Sequence, residues 1–496
     1  MALALPLGAR AARSRALSAL LAIAAGVACG GVAALLGPLY AGVGVLGLVV
    51  GAAVASNVRL AFLAFLLVAT LLPFGVLPFS IGGVKPTLID ATLTLLLCAW
   101  LVRLLVRRDT WRSATPADGP LLAFVGVSLA AFVLGTAYLV TPELIRQYLK
   151  LVNSTLFFFT VTQLVRTRRD LDQVLGALVG GGAVAAAVGA GLYHLPAETA
   201  ARLLSGLRPL GYPTGDVLRY VEDAGVRTDV LRAIGTSVDP NVFGTLLLMT
   251  GVLAVGGVLA TGGAARRLYA VAAVVIGYTL LITLSRGSWV GFAAAVALIV
   301  AVRRRRLALL VPPGVAIGVL LFGAQLSPLL EHFLNAVYAR DQATGMRLGE
   351  YKDALNLIQQ HPWLGIGFGA APSSDLYLGV SSTYLLVAEE MGLLGLALLL
   401  LVLWRVVSTG WRGYRAAHEP ASATILTCLA TFLGLLLAAL FDRHYLDLRF
   451  PHVAALFWLV AAMVVISARV GRADEDVVDQ PPSGTTNSHG PLVTRV

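Results

Sequence analysis

Residues 241–306 read NVFGTLLLMTGVLAVGGVLATGGAARRLYAVAAVVIGYTLLITLSRGSWVGFAAAVALIVAVRRRR. Three apolar stretches, 241–261, 266–283 and 287–303, follow one another here with only short polar connections between them. Each is long enough to cross a hydrocarbon layer of about 30 Å, which takes roughly 17–25 helical residues. Because unpaired backbone groups are costly in lipid, such stretches span as helices. This region is therefore predicted to be three membrane-spanning helices.

The same pattern recurs along nearly the whole chain of 496 residues, of which 58% are hydrophobic and 13% charged. A soluble domain carries roughly 25% charged residues. Eleven further apolar stretches lie at 16–36, 39–56, 58–75, 86–106, 119–139, 149–166, 171–193, 307–325, 381–404, 422–441 and 450–467. The predicted fold class is all-α, a polytopic integral membrane helical bundle of about fourteen transmembrane helices with two large external loops.

The net charge of +11 comes mainly from arginines in the short connections between spans. If the spans alternate in direction, the connections that carry these arginines all fall on one side of the membrane. The positive-inside rule makes that side cytoplasmic. Both termini are then cytoplasmic. Such a distribution does not indicate a nucleic-acid partner. The three cysteines, Cys29, Cys98 and Cys428, lie in predicted spans and suggest no disulfide framework.

The chain is accordingly divided into seven regions. A cytoplasmic N-terminus (1–15) precedes a transmembrane scaffold (16–193), external loop 1 (194–240), transmembrane helices (241–325), external loop 2 (326–380), transmembrane helices (381–470) and a disordered cytoplasmic tail (471–496). The basic start followed by an apolar stretch also resembles a signal peptide, but the length of that stretch favours an uncleaved first span. The tail lacks apolar periodicity.

Cationic residues on the external side require a reason, because short external loops tend to be poor in them. One interpretation is pairing with nearby carboxylates, and the other is an anionic ligand, whose phosphate oxygens fit a guanidinium fork. Arg286 favours the second, since its TLSRGSW turn lies close to the hydrocarbon. Arg347 opens a predicted helix that also carries Glu350 and Tyr351 and ends at His361, where a proline follows.

Glu389 lies about two turns inside the span that begins near Ser381. An ionisable residue within a span is a functional candidate, although a hydrogen bond to a neighbouring helix explains it equally well. The GIGFG segment at 365–369 has no preceding strand and is predicted to be a flexible turn, not a phosphate-binding loop.

Four segments, in order, resemble motifs of the O-antigen ligase and O-antigen polymerase superfamily of bacterial membrane glycosyltransferases. They are RAIGTSVDPNVFG (232–244), TLSRGSW (283–289), MRLGEYKDALNLIQQHPWLGIGFG (346–369) and SSTYLLVAEEMGLLG (381–395). The resemblance implies an all-helical, multi-pass enzyme of the bacterial cytoplasmic (inner) membrane. Such an enzyme transfers a glycan from an undecaprenyl diphosphate carrier to a glycan or glycolipid acceptor on the external face, without metal, nucleotide or other cofactor.

By position, the resemblance makes Arg286 and Arg347 the residues that hold the donor diphosphate. The other matched residues form the candidate substrate-binding set, which is Arg232, Asp239, Asn241, Glu350, Ser381 and Tyr384. Ser381 departs from the family, whose ligases have histidine there, and a hydroxyl is no general base near neutral pH. Either His361 or Glu389 replaces it, or the acceptor is only positioned, or the protein is a polymerase or exopolysaccharide transferase and not a ligase.

Two other functions remain compatible with the hydropathy. A transporter or flippase of lipid-linked oligosaccharides would also combine many spans with a basic cavity, but such sites lie near the bilayer midplane in repeated halves. No internal repeat is evident in this sequence. A membrane scaffold without catalytic activity would leave the matched arginines unexplained. Beyond membrane lipids, the expected partners are therefore the lipid-linked donor and the acceptor.

Overall fold

The computed structural model describes residues 58–77, 86–105, 114–135, 141–223, 226–303, 342–368 and 380–478. The chain divides into two compact units, Met1–Ala64 and Phe65–Val496. Of the first unit, residues 58–64 are described and are helical. The predicted spans 16–36, 39–56 and 307–325, and the tail beyond 478, lie outside the described residues.

The described residues form thirteen α-helices and one pair of strands. The helices are α1 (Val58–Leu71), α2 (Leu88–Leu105), α3 (Asp118–Gly135), α4 (Pro142–Leu164), α5 (Arg168–His194), α6 (Ala197–Ser205), α7 (Pro240–Ala260), α8 (Gly263–Ile282), α9 (Arg286–Arg303), α10 (Gln342–Gln360), α11 (Thr383–Ala416), α12 (Ala421–Ala438) and α13 (Pro451–Val478). The strands are β1 (Arg219–Asp223) and β2 (Val226–Arg232).

Eight of these helices are long and apolar enough to cross a membrane, namely α3, α5, α7, α8, α9, α11, α12 and α13. The prediction of a polytopic membrane bundle is thereby confirmed, whereas the count of about fourteen spans stays a prediction. Helices α1 and α2 contain shorter apolar segments, Leu60–Leu71 and Leu88–Cys98. Helix α13 continues to Val478, past the predicted start of the tail at 471.

The core of the bundle is built from α13, α12 and α7, in which 94%, 83% and 78% of the spanning residues are buried. In α8 the corresponding share is only 22%, and leucines and valines such as Leu268 and Val274 face outward. Apolar side chains on the outside are expected where the surroundings are lipid.

External loop 1 contains an element that the all-α prediction lacks. Strands β1 and β2 pair antiparallel, with Arg219 opposite Arg232 and Tyr220 opposite Leu231, and the ladder is irregular between Tyr220 and Glu222. The alternation of polar and β-branched residues over Val226–Arg232 suits a half-exposed strand. The hairpin ends at Arg232, beside the start of α7.

One end of the bundle, here called the site end, collects the starts of α7, α9, α11 and α13 and the ends of α8 and α12. Backbone hydrogen bonds join them: Ala233 N–H donates to Ile282 O at 2.9 Å, and Thr383 N–H donates to Ala439 O at 3.0 Å. At the opposite end, Arg303 forms an ion pair with Glu419. The connections at that opposite end and the adjoining helix ends carry Arg168, Arg266, Arg267, Arg303, Arg412, Arg415, Arg469 and Arg472, whereas the short connections of the site end carry Arg286, Arg443 and Arg449.

Helix α11 is broken at Gly392, whose φ of 67° and ψ of −174° are not helical. In a continuous helix the Leu393 N–H would bond to the Glu389 carbonyl. Here Leu393 N–H donates to Pro362 O at 2.7 Å, and the Glu389 carbonyl accepts from Ile366 N–H at 2.9 Å. The segment after α10, predicted to be a flexible turn, is thus hydrogen-bonded to the break in α11.

Candidate functional site

Arg232 joins three segments of the site end. Its Nε donates to the Thr283 carbonyl at 2.9 Å, and its Nη2 donates to Asn241 Oδ1 at 2.9 Å and to the Leu284 carbonyl at 3.3 Å. Burial lowers the pKa of Arg232 to about 10, and the nearby carboxylates of Asp239 and Asp442 counteract this. The guanidinium therefore stays charged near neutral pH.

Three guanidinium groups converge at this end. The positive charges of Arg286 and Arg347 both lower the pKa of Arg232, so each lies within electrostatic range of it. Arg232 comes from β2, Arg286 from the start of α9 and Arg347 from α10. The structure therefore brings together the arginines predicted to bind the donor diphosphate and one residue of the predicted substrate-binding set.

Each of the two segments that accept hydrogen bonds from Arg232 contains a residue with a strained backbone. Val238 and Leu284 are the non-glycine residues with positive φ among those that the structure describes, at 60° and 55°. A β-branched residue such as valine rarely adopts this conformation, which costs roughly 1–3 kcal/mol. Strained backbone held in this way often accompanies functional sites. Both positions adjoin the arginine cluster.

Asp442 provides the closest described negative charge to Arg347, with 3.6 Å between Arg347 Nη2 and Asp442 Oδ1. The residue is 7% exposed. A Cβ added to Gly287 would meet Asp442 Oδ2 at 2.8 Å, so the second carboxylate oxygen lies against the start of α9. Burial raises the pKa of Asp442, while His444, Arg347 and Arg232 lower it and Asp239 raises it further.

Several residues of the predicted substrate-binding set bond to protein groups here. Asp239 caps α7 by accepting the N–H groups of Asn241 and Val242 at 2.8 and 3.0 Å. Glu350 Oε2 accepts Ser381 N–H at 2.9 Å, and Tyr384 Oη donates to Leu436 O at 2.9 Å. The Ser381 hydroxyl makes no hydrogen bond to a described residue. Whether these side chains also contact substrate stays a prediction.

The two candidate bases lie away from the arginine cluster. His361 is exposed just beyond the end of α10, and Arg347 is near its start, so the two are roughly 20 Å apart along the helix axis. Glu389 is 7% exposed and lies within α11, roughly 9 Å further into the bundle than Thr383. Neither forms the ion pair with Arg347 that Asp442 forms.

The segment FDRHYLDLRFPH at 441–452, which leads from α12 into the start of α13, supplies site residues that were not predicted from the sequence. Thr245 Oγ1 lies 2.7 Å from His444 Nε2 and 3.1 Å from Tyr445 Oη, which anchors the segment to α7. Asp447 forms ion pairs with Arg443 and Arg449, at 3.2 and 2.7 Å. The available signal was the density of ionisable residues between two strongly apolar spans.

The fold and this site together define a multi-pass membrane protein with a cationic cluster at one end of its helical bundle. Residues 271–400 match the family model described as O-antigen ligase. This match places the segment in the O-antigen ligase and polymerase superfamily, as its motifs predict. It includes Arg286 and Arg347 but not Arg232 or Asp442.

One solved structure comes from work on the structural coordination of polymerization and crosslinking by a peptidoglycan synthase complex. Its alignment covers 71% of this chain and 97% of that one, at 18% sequence identity and a TM-score of 0.39. A similarity of this size carries no information on activity. No curated protein sequence matches the chain significantly.

Proposed function

We propose that this protein is a membrane glycosyltransferase that transfers or polymerises a glycan from an undecaprenyl-diphosphate-linked donor to an acceptor hydroxyl. The observation that carries the proposal is the convergence of Arg232, Arg286 and Arg347 at one end of an apolar bundle. The O-antigen ligase match over residues 271–400 supports it.

Glycan transfer requires positive charge at the place where the departing diphosphate develops negative charge. Guanidinium groups supply this charge in a geometry that fits phosphate oxygens, and a preorganised site of low polarity strengthens the interaction. The arginines stabilise the negative charge that a divalent cation stabilises in other reactions with a phosphate leaving group. We therefore expect transfer to need no metal or cofactor, and to continue in the presence of EDTA.

The site end is proposed to face the exterior of the bacterial inner membrane. The connections at the opposite end carry more arginines than the short connections of the site end, which have Arg286, Arg443 and Arg449. The positive-inside rule assigns the more basic end, with both termini, to the cytoplasm. A cysteine introduced in the β1–β2 hairpin should therefore react with a membrane-impermeant maleimide in intact cells. Reaction only after permeabilisation would reverse the orientation.

The main test is transfer by purified protein in lipid nanodiscs, with an undecaprenyl-diphosphate-linked oligosaccharide as donor. Arg286→Ala and Arg347→Ala should each reduce kcat/KM by about 10²-fold or more, the usual loss for a group that stabilises transition-state charge. Arg202→Ala is the matched control, because this arginine of the same loop system is 72% exposed and pairs with Glu198.

Full activity of both Arg286→Ala and Arg347→Ala would refute the donor site. Movement of labelled donor across liposome membranes without glycan transfer would instead identify a flippase. Acceptor choice separates the two enzyme types, since a polymerase extends a second lipid-linked repeat and a ligase modifies a glycolipid. Ser381, in place of the ligase histidine, favours the polymerase or an exopolysaccharide transferase.

A further inference from the structure

The chain segment that carries Asp442 lies beside Ser381, the position where ligases of this family have histidine. Tyr351 Oη lies 3.3 Å from the carbonyl oxygens of both Ser381 and Leu440, so one hydroxyl bridges the two segments. Thr383 donates its N–H to Ala439 O at 3.0 Å and its hydroxyl to Asp442 O at 2.7 Å. The start of α11 thus fixes the backbone that carries Asp442.

The side chain of Asp442 is held between two of the arginine-bearing elements. Oδ1 faces Arg347 on α10, and Oδ2 faces Gly287, the residue after Arg286 on α9. The absence of a side chain at position 287 is what allows this approach. The carboxylate therefore lies against the two elements that carry the proposed diphosphate ligands.

We propose that Asp442 is the general base of the transfer reaction. In this step the acceptor hydroxyl oxygen bonds to the anomeric carbon while the bond from that carbon to the diphosphate oxygen breaks. The electron pair of the broken bond stays on the lipid diphosphate, and the hydroxyl proton passes to the Asp442 carboxylate. This inference rests on the proposed function and names the base of its reaction.

The other candidates fit this role less well. His361 is exposed and roughly 20 Å along α10 from Arg347, and Glu389 lies deeper in α11. His444 adjoins Asp442 in sequence, but its Nε2 is bonded to Thr245 on α7. Asp442 is the carboxylate that the described residues place against Arg347.

The environment of Asp442 suits a base that works near neutral pH. Burial raises its pKa, which brings it closer to the pH at which general bases are most effective. The facing charges are His444 in the same connection, Arg347 on α10, Arg232 on β2 and Asp239 before α7, with Arg286 adjoining Gly287 on α9. The cations oppose the effect of burial and favour the ionised form of the group.

The test compares Asp442→Asn and Asp442→Glu with wild type in the nanodisc assay, over a range of pH. Asp442→Asn should lower kcat by about 10²- to 10⁴-fold, the usual contribution of a general base. It should also remove the acid limb of the kcat/KM profile. The affinity of the Asp442→Asn protein for undecaprenyl diphosphate alone should not fall by more than about threefold, since asparagine still hydrogen-bonds and removes no positive charge from the site. Asp442→Glu should retain part of kcat and the acid limb.

The control variant is Asp216→Asn, in which an exposed carboxylate paired with Arg227 in loop 1 is neutralised and activity should be unchanged. Size-exclusion profiles verify that each variant is folded. The inference is overturned if Asp442→Asn keeps kcat within threefold, keeps the acid limb, or loses undecaprenyl diphosphate as fully as Arg347→Ala does.

Failure of the proposed function has a different signature. Wild-type protein that neither transfers glycan nor binds undecaprenyl diphosphate would overturn both the function and the role of Asp442. Transfer that depends on Arg286 and Arg347 but not on Asp442 would overturn only the assignment of the base.

Discussion

Replacement of Gly392 by alanine tests whether the break in α11 is required for the fold. At φ 67° and ψ −174°, Gly392 occupies a region that is essentially restricted to glycine, and another residue there costs roughly 1–3 kcal/mol. A Cβ at this position would also overlap the carbonyl group of Trp363, which is backbone and has no rotamer to change. Both effects act against Gly392→Ala.

The overlap can be relieved only by separating α11 from the segment after α10. That separation removes three backbone hydrogen bonds, from Leu393 N–H to Pro362 O, from Ile366 N–H to Glu389 O and from Gly367 N–H to Glu390 O. At about 1 kcal/mol each, they add about 3 kcal/mol to the backbone strain. We expect Gly392→Ala to lower the free energy of unfolding by about 4–6 kcal/mol.

Gly277→Ala is the matched control, because Gly277 lies within α8 and a Cβ added there meets nothing within 4 Å. This change should leave stability equal or higher by up to about 1 kcal/mol, since alanine favours a helix. Unfolding is measured by denaturant titration in detergent micelles, with tryptophan fluorescence as the signal. Equal stability of the Gly392→Ala and Gly277→Ala proteins would refute the role assigned to the break.

Three further outcomes follow from the site. Arg232→Lys should weaken binding of undecaprenyl diphosphate by at least about 10-fold, measured by titration, because one ammonium cannot reach all of the acceptors of Arg232. Tyr351→Phe should cost about 1 kcal/mol of unfolding free energy, since both bonds it removes are long at 3.3 Å. Burial raises the pKa of Asp442, so its ionised form lowers the free energy of unfolding above that pKa, and this effect is absent below it. Asp442→Asn should then unfold no earlier than wild type at pH 7, with the difference shrinking towards pH 4; a clearly earlier midpoint at pH 7 would contradict this.

The membrane helices were predictable because length and apolarity alone decide whether a segment crosses lipid. Helices α5, α7, α8 and α9 begin and end within about four residues of the predicted spans. The β1–β2 hairpin was not predicted, although Val226–Arg232 alternates polar and β-branched residues over the length of a strand. Its stability comes from contacts distant in sequence, such as the bonds from Arg232 to the turn before α9.

The site was only partly predictable for a related reason. Arg286 and Arg347 could be selected because cations on the external side are unusual. Asp442 could not be selected in this way, because its importance depends on proximity to Arg347, which is far away in sequence. Sequence also does not distinguish a carboxylate that binds a ligand from one that caps a helix, as Asp239 does for α7.

Strain and charge at the site end are linked through Arg232. The strained Leu284 presents its carbonyl to Nη2, and Asn241, which follows the strained Val238 closely, presents its amide oxygen to the same atom. Nε bonds to Thr283 O, so these two nitrogens hold both distorted segments in place. Nη1 makes no hydrogen bond to a described residue. Hydrogen bonds to the protein fix one edge of the guanidinium, so the other edge is held in a set direction. A diphosphate bound at that edge would contact a donor that the fold has already ordered.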